Sequence, residues 1–413
     1  MTELKQQHIS DLEDIQTQVK FFYSQKRKVK IYHGSTNSIR IQKFEKDKFV
    51  DVSHLDRVIE INTAQQYVLV EPNVAMDALV EATLKHGFVP PVIMEFPGIT
   101  VGGGIQGGAG ESSSFKYGAF HNSCLEYEIV IGNGDVITAS PTQNEALFYG
   151  TACSYGSLGV ITLVKLKLVS AKAFVQLTYH RVNSLDESIK LLKEKVGEAE
   201  TTEFVDGIIF AKNRGVIMTG NFTDKNNLPV STFGKRGDEW FYLHADKLSK
   251  KYEKYEEIIP IREYLFRYDQ GAFWVGRYAF SFFKIPFMKF TRSLLHKYFK
   301  TRTMYRAIQA TNITQRYFVQ DVCLPQKSVL KFLEFVDKNL HIYPLWLCPG
   351  RPDKHEKLSP SYLETELVIN VGVWGKYAQT KADFFEVNRD VENKVKELCG
   401  RKVLYAHAYY SRN

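Results

Sequence analysis

Hydrophobic residues in the first 172 positions fall into short runs separated by glycine, proline and charged residues. Runs rich in Val, Ile and Leu predict strands over residues 28–32, 67–71, 125–131, 135–139 and 160–169. Apolar positions on one face predict a helix over residues 74–86, which Gly87 ends. Gly132-Asn133-Gly134 predicts a hairpin turn. This half is therefore expected to mix short strands with a helix.

The pattern changes after residue 172. Ser184 followed by Glu187 is typical of a capping box and predicts a helix that reaches about Gly197. The other elements expected are strands over 204–210, 216–222, 317–324, 341–347, 366–373 and 403–409, and helices over 328–340 and 382–399. Helices over one face of an antiparallel sheet give an α+β fold. We expect two domains, residues 1–172 and 173–413, with an insertion in the second at about 223–315.

Composition and charge exclude several classes of protein. The 413 residues carry a net charge of +8, which is too diffuse to indicate nucleic acid and equally suits anionic lipid or a phosphorylated cofactor. The five cysteines form no CxxC pair, so neither a disulfide framework nor a zinc site is expected, and no metal is predicted. The polar N-terminus is not a signal peptide, and no apolar run is long enough to span a membrane.

Residues 270–320 contain no acidic residue and mix many aromatic side chains with lysine and arginine. Three interpretations stay open. The segment forms a membrane-surface patch, a lid over an apolar substrate channel, or core helices with a basic outer face. The same mixture permits RNA binding, but no RNA-binding motif supports it, so no nucleic-acid partner is expected.

The stretch from Gly98 to Gly118 reads GITVGGGIQGGAGESSSFKYG. Gly102, Gly104 and Gly107 match GxGxxG, yet a Rossmann fingerprint opens a helix directly after a strand. Here more glycines and three serines follow, and each glycine inside a helix costs about 1 kcal/mol against alanine. We therefore expect an extended loop laid along a cofactor, with a plain glycine turn as the alternative. Glu111 then either polarises a cofactor group or faces solvent.

Several motifs together resemble a known superfamily. The loop HGSTNS, the glycine loop, LEYEIVIGNGDVITAS and FYGTACSYGSLGVITLVKLKLV resemble the FAD-binding domain of the vanillyl-alcohol oxidase or PCMH superfamily over about residues 25–170. ESSSFKYGAF, VQDVCLP, HIYPLWLCP and LYAHAYYSRN are also similar to delta-24 sterol reductases of the diminuto type. The resemblance implies a PCMH-type FAD-binding domain over residues 1–172 and a substrate domain over 173–413.

The family resemblance implies a flavoenzyme that takes hydride from NADPH and reduces a sterol side-chain double bond. The alternatives are an FAD-linked alcohol oxidase or dehydrogenase, and a sterol-binding relative without turnover, because family members usually continue beyond the position of Asn413. They also usually begin with a membrane-spanning segment. We expect a place on the cytoplasmic face of a membrane, the endoplasmic reticulum in a eukaryote, with peripheral contact through residues 270–320. The oligomeric state is left open.

The resemblance also assigns FAD-binding residues. Those expected to contact FAD are Gly34, Ser35, Thr36, Asn37, Ser38, Thr100, Val101, Gly102, Gly103, Gly104, Ile105, Gln106, Gly107, Gly108, Ala109, Gly110, Glu111, Ser112, Ser113, Ser114, Tyr117, Gly118, Gly156, Ser157, Gly159 and Val160. Covalent attachment in the superfamily often uses a histidine near the position of Asn37, and His33 lies upstream of it. FAD is therefore expected to bind non-covalently.

Reduction of a double bond also needs a proton donor close to the flavin. No pattern selects it, so the candidates are ionisable residues on second-domain strands: Tyr317, Asp321, His341, Tyr343, Tyr405 and His407. Tyr405 and His407 alternate with apolar residues and are expected to share one strand face. Together with Tyr343 they are the leading catalytic candidates. Cys153 and Cys348 are expected to be ordinary buried thiols.

Overall fold

The computed structural model describes residues 3–34, 45–225, 227–311, 317–377 and 381–411. Its α-helices are α1 (Glu3–Ser24), α2 (Met76–Leu84), α3 (Val101–Gly107), α4 (Ser114–Tyr117), α5 (Glu145–Thr151), α6 (Leu185–Gly197), α7 (Phe241–Lys251), α8 (Ile261–Leu265), α9 (Gly276–Phe282), α10 (Lys289–Leu294), α11 (Thr301–Thr311), α12 (Gln326–Asn339) and α13 (Lys381–Glu397). Short 3₁₀ helices lie at Lys46–Lys48, Phe120–Ser123 and His296–Phe299.

The strands alternate with these helices along the whole chain. They are β1 (Lys30–Tyr32), β2 (Phe49–Asp51), β3 (Val58–Asn62), β4 (Tyr67–Val70), β5 (Phe88–Val89), β6 (Cys124–Val130), β7 (Val136–Ala139), β8 (Val160–Lys167), β9 (Val169–Ser170), β10 (Phe174–Val182), β11 (Phe204–Ala211), β12 (Arg214–Thr223), β13 (Lys254–Pro260), β14 (Tyr317–Pro325), β15 (Leu345–Gly350), β16 (Val368–Lys376) and β17 (Arg401–Lys402).

Residues 58–167 build an antiparallel sheet with the strand order β3-β4-β8-β6-β7. The predicted hairpin turn joins β6 to β7, so the prediction from Gly132-Asn133-Gly134 is confirmed. Helix α1 packs Ile15 and Val19 against Val130 and Val160 of this sheet. Its position is also held by the His8 ring, which lies 2.8 Å from a Glu71 carboxylate oxygen.

Residues 174–402 build a second antiparallel sheet, in the order β13-β10-β12-β11-β15-β16-β14-β17. Successive side chains of a strand point to opposite faces. On β14, Phe318, Val322 and Leu324 therefore pack under α12 and α13, whereas Val319 and Asp321 point to the other face. The covered face and the antiparallel pairing confirm the α+β prediction. The boundary at residue 172 stays a prediction.

Most predicted elements are present, but the strand predicted over residues 403–409 is absent. The Ser184 side chain accepts a hydrogen bond from the Glu187 amide at 3.1 Å and caps α6, as predicted. Strand β17 ends at Lys402, whereas a strand over 403–409 was expected. At the end of this stretch, the Tyr409 amide donates a hydrogen bond to the Glu392 side chain of α13 at 2.9 Å. This bond to the helix takes the place of a bond to a neighbouring strand.

Candidate active site

A cavity of about 980 Å³ lies between the glycine-rich segment and the open face of the larger sheet. The sheet side is formed by alternate residues of three neighbouring strands. These are Val319, Asp321 and Cys323 of β14, Trp346, Cys348 and Gly350 of β15, and Asn370 and Trp374 of β16. The period of two places all of them on one face. The cavity is large enough for a cofactor and a substrate side by side.

The glycine-rich wall begins with a short helix, so the expectation of an extended loop is wrong for residues 101–107. Thr100 caps α3 by accepting a hydrogen bond from the Gly103 amide at 3.1 Å. Gly108 ends the helix in the left-handed conformation, at φ +60°. The Thr100 cap and the left-handed Gly108 allow two helical turns to form despite the glycines. The rejection of a Rossmann unit holds for the described residues, since Thr100 forms only an isolated antiparallel bridge before α3.

The glycines of α3 divide between two faces of the helix. Gly103 and Gly107, four residues apart, line the cavity, and nothing lies within 4 Å of a Cβ built on Gly107. Gly104 faces the core instead, where a Cβ would overlap the Met94 side chain. The cavity face is therefore bare backbone, which a flat ring or a phosphate chain can approach closely. This surface fits a bound FAD.

The structure separates the predicted FAD residues into two groups. Those that line the cavity are Gly34, Thr100, Gly102, Gly103, Gln106, Gly107, Gly108, Ala109, Gly110, Ser114, Gly156, Gly159 and Val160. Those that lie outside its lining are Val101, Gly104, Ile105, Glu111, Ser112, Ser113, Tyr117, Gly118 and Ser157. Ser35, Thr36, Asn37 and Ser38 lie outside the described residues.

The serines after the glycines bind protein groups. The Ser113 hydroxyl donates to the Pro91 carbonyl at 2.8 Å, and the Ser114 hydroxyl accepts from the Glu111 amide at 2.9 Å. Ser112 donates to the Glu111 carboxylate. These bonds fold the chain tightly behind the cavity wall, and of the three serines only Ser114 reaches the lining.

Glu111 is buried and lies outside the cavity lining, so of its two predicted roles the solvent-facing one is wrong and the contact with a cofactor stays a prediction. Its Oε1 lies 2.8 Å from Arg267, and the same guanidinium nitrogen lies 2.9 Å from Asp206. Asp206 Oδ2 also accepts from the Tyr268 hydroxyl at 2.6 Å and from the Trp346 indole at 3.1 Å. Burial alone would lower the pKa of Arg267. The nearby Glu111 and Asp206 carboxylates outweigh burial and keep this pKa well above its ordinary value. We call Glu111, Arg267 and Asp206 the arginine cluster.

Two of the six proton-donor candidates meet in the cavity wall. The Tyr405 hydroxyl donates to Asp321 Oδ2 at 2.8 Å and accepts from the Trp374 indole at 3.1 Å. Burial raises the pKa of Asp321 to about 7, although the Tyr405 hydrogen bond opposes the rise. Asp321 has no ion-pair partner among the described residues. A buried carboxyl without a cation is a neutral acid over part of the physiological pH range.

Glu95 is a second cavity carboxyl, which the sequence analysis missed. It is half-buried, lines the cavity, and burial raises its pKa to about 8. Its signal was available, because it is the only charged residue in the apolar run PPVIMEFP. Asn370 also lines the cavity, and its Oδ1 has no hydrogen-bond partner among the described residues.

The other donor candidates lie away from the cavity. The Tyr343 hydroxyl donates to Asp337 at 3.0 Å, and Tyr317 packs on Tyr278 with ring centroids 5.4 Å apart. His341 and His407 are exposed. The expected shared face of Tyr405 and His407 is absent because the predicted strand does not form. None of these four residues lines the cavity, so none, including the leading candidates Tyr343 and His407, is placed to donate a proton there.

Comparison with known proteins agrees with this geometry. A family model described as "FAD binding domain" matches residues 8–140. The Delta(24)-sterol reductase of Homo sapiens is 30% identical over 98% of this chain and 80% of its own length. The Delta(24)-sterol reductase homolog dhcr-24 of Caenorhabditis elegans is 26% identical over 98% and 81%, and the Arabidopsis thaliana Delta(24)-sterol reductase 29% identical over 73% and 56%. The chain therefore belongs to the Delta(24)-sterol reductase family of FAD-dependent oxidoreductases.

Proposed function

We propose that this protein reduces a side-chain double bond of a sterol or similar isoprenoid, with FAD as cofactor and NADPH as the reductant. The observation that carries the proposal is an acid with a raised pKa, Asp321, facing a cavity that is otherwise mostly apolar. Phe96, Phe273, Met304 and Trp346 supply much of that apolar wall. An apolar wall binds the hydrocarbon body of such a substrate by excluding water.

FAD, when bound, supplies the hydride chemistry, and the protein must place the substrate and supply a proton. The bare backbone of Gly103 and Gly107 gives the cofactor a close contact surface. Lys30 and Arg351 also line the cavity and provide positive charge for its phosphates. The sheet face opposite then holds the substrate against the cofactor.

The proton is held at one oxygen of Asp321. Oδ2 accepts the Tyr405 hydroxyl, and Oδ1 has no hydrogen-bond partner among the described residues. The neutral acid therefore carries its proton on Oδ1, which is buried and must be brought against the substrate carbon for donation. After donation, the Tyr405 hydroxyl stabilises the carboxylate that remains. Trp374 orients that hydroxyl through its indole N–H.

A membrane is the proposed source of the substrate. Six large apolar side chains between residues 282 and 298 are each at least 49% exposed: Phe282, Phe283, Met288, Phe290, Leu294 and Tyr298. Lys284, Lys289 and Lys297 are exposed among them. Phe273 and Met304, on either side of this stretch, line the cavity. The stretch thus joins an apolar, basic surface to the substrate space, as a monotopic membrane contact requires. No helix among the described residues is long and apolar enough to cross a bilayer.

Anaerobic addition of NADPH tests the reductase proposal. We expect the flavin absorbance to bleach and to recover when a desmosterol-like sterol is added. Without bleaching, an FAD-linked alcohol oxidase or dehydrogenase is the better assignment. Sterol binding without NADPH oxidation would identify a binding protein. Acid precipitation of the same sample checks the flavin linkage, since non-covalent FAD leaves its colour in the supernatant.

Cosedimentation with vesicles tests the membrane contact. We expect binding to anionic vesicles, weaker binding at high salt, and loss of binding in the Phe283→Ser, Phe290→Ser double variant. Leu358→Ser is the matched control, because Leu358 is 55% exposed outside this stretch. Equal binding by both variants, or none by the parent protein, contradicts the membrane contact.

A further inference from the structure

A second group of ionisable residues lies behind the glycine wall and outside the cavity lining. It contains His121, from the 3₁₀ helix Phe120–Ser123, with Asp353 and Glu356 from the segment after β15. One ligand atom from each residue lies within 4.8 Å of those of the other two. All three residues are at least 93% buried. Parts of the chain more than 230 residues apart therefore bring one imidazole and two carboxyls together.

The hydrogen bonds of this group leave two buried atoms without strong partners. His121 Nε2 lies 3.1 Å from Asp353 Oδ2, and Asn122 donates to Glu356 at 3.3 Å. Among the described residues, Asp353 Oδ1 has no hydrogen-bond partner, and His121 Nδ1 has none stronger than the Cys153 thiol beside the ring. Buried polar atoms are normally satisfied, so these two indicate a missing partner.

The charges of the group are also unbalanced. No lysine or arginine in the described chain forms an ion pair with Asp353 or Glu356. Two buried carboxyls therefore share a single imidazole, and a buried charge without a counter-charge is costly. A divalent cation carries enough charge for both carboxylates. One imidazole nitrogen with carboxylate oxygens is a ligand set that first-row divalent metals accept.

We propose that His121, Asp353 and Glu356 bind a divalent first-row cation, with Zn²⁺ and Mn²⁺ as the test ions. The group lies where two walls of the cavity meet. The Cys153 thiol interacts with His121, and a Cβ on Gly108 would lie 2.8 Å from Cys153 Sγ and 2.9 Å from Pro360 Cδ. Gly108, Arg351 and Ser361 line the cavity. The cation therefore clamps the glycine wall to the segment at 351–361 and stabilises the folded chain.

Elemental analysis and thermal unfolding of the 413-residue chain test the proposal. The chain purified from metal-supplemented medium should hold about one equivalent of Zn²⁺ or Mn²⁺. The chain from metal-depleted medium should hold none, and saturating Zn²⁺ or Mn²⁺ should raise its Tm by several degrees. A protein without stoichiometric metal whose Tm ignores both ions overturns the proposal.

Two variants separate a metal site from a plain ion pair. Glu356→Gln keeps the size of the side chain and leaves the His121–Asp353 contact in place. A metal site predicts that this variant loses the equivalent of metal and the Tm response. His355→Ala is the matched control, because His355 is exposed and adjacent, so metal held at the buried site persists in it. Metal retained by Glu356→Gln, or lost from His355→Ala, contradicts the assignment. Neither readout depends on reductase activity.

Discussion

Asp206 and Asp321 lie on the same face of the same sheet, yet a cation contacts Asp206 and none contacts Asp321 among the described residues. Asp206 is 1% exposed and contacts Arg267, whereas Asp321 is 7% exposed and contacts only neutral donors among the described residues. The arginine gives Asp206 a fixed structural partner. Without a cation, burial instead raises the pKa of Asp321 and keeps its proton available. One buried carboxyl therefore holds the fold together, and the other is suited to acid catalysis.

The largest effect is expected from removing the cation of the arginine cluster. Arg267→Met leaves Glu111 and Asp206 buried without a counter-charge, which costs about 3–5 kcal/mol of the free energy of unfolding. Chemical denaturation measures the loss. Arg302→Met is the control, because Arg302 forms an exposed pair with Asp77, and such pairs contribute about 1 kcal/mol or less. Equal effects of the two substitutions would contradict the structural role of the cluster.

Asp321→Asn tests the other member of the comparison. The amide keeps the shape but has no acidic proton, so turnover of a sterol substrate should fall roughly 10²-fold or more. The flavin spectrum and NADPH bleaching should persist, and the free energy of unfolding should not fall, because no ion pair is broken. Asp337→Asn, at a carboxyl outside the cavity lining, should leave turnover unchanged. Full activity of Asp321→Asn would remove it as the proton donor.

Tyr405→Phe should reduce turnover roughly tenfold, because a hydrogen bond to a charged group contributes about 1.5 kcal/mol or more. The bond favours the ionised form of Asp321, so its loss should raise that pKa further. The rate of the parent protein should decline as pH rises above about 7. In the variant this decline should move to higher pH. A reduced rate with an unmoved pH profile would show that Tyr405 acts only by packing.

The last prediction concerns the dependence of stability on pH. The folded pKa of Asp321 is raised to about 7, above the ordinary value of about 3.9 in the unfolded chain. Its contribution to stability is therefore complete below pH about 4 and is lost as pH rises to about 7. Asp321→Asn has no such titration, so its Tm relative to the parent should rise between pH 5 and pH 8. A constant difference in Tm over that range would contradict the raised pKa.

Local patterns predicted most of the elements because their causes are local. Ser184 and Glu187 predicted the start of α6, and Gly132-Asn133-Gly134 predicted the β6–β7 turn. Two predictions failed for reasons that involve distant residues. The glycine-rich segment forms a helix where an extended loop was expected, with Gly104 packed on Met94. After the Val403 amide, which still bonds to the Asp321 carbonyl of β14, the chain leaves the sheet, and the Tyr409 amide bonds to Glu392 of α13.

The candidate site shows the same division. The glycine-rich segment was identified from the sequence, and nine of its predicted FAD residues line the cavity together with Gly34, Gly156, Gly159 and Val160. The pairing of Tyr405 with Asp321, 84 residues apart, depends on where the chain after β17 returns to the sheet. Glu95 joins them from the opposite half of the chain. Burial decides the proton affinity of these carboxyls, and burial is a property of the assembled fold.

By itself the sequence determined the α+β class, the glycine-rich cofactor wall and the membership of a flavoenzyme family. Periodicity, turn chemistry and motifs depend on residues that are close together in the chain, so they can be recognised without the fold. Only the tertiary structure decided which acid is neutral, which is paired with arginine, and which histidine lies beside two carboxyls. Those properties depend on the distance between side chains and on the exclusion of water around them, and the packed chain sets both.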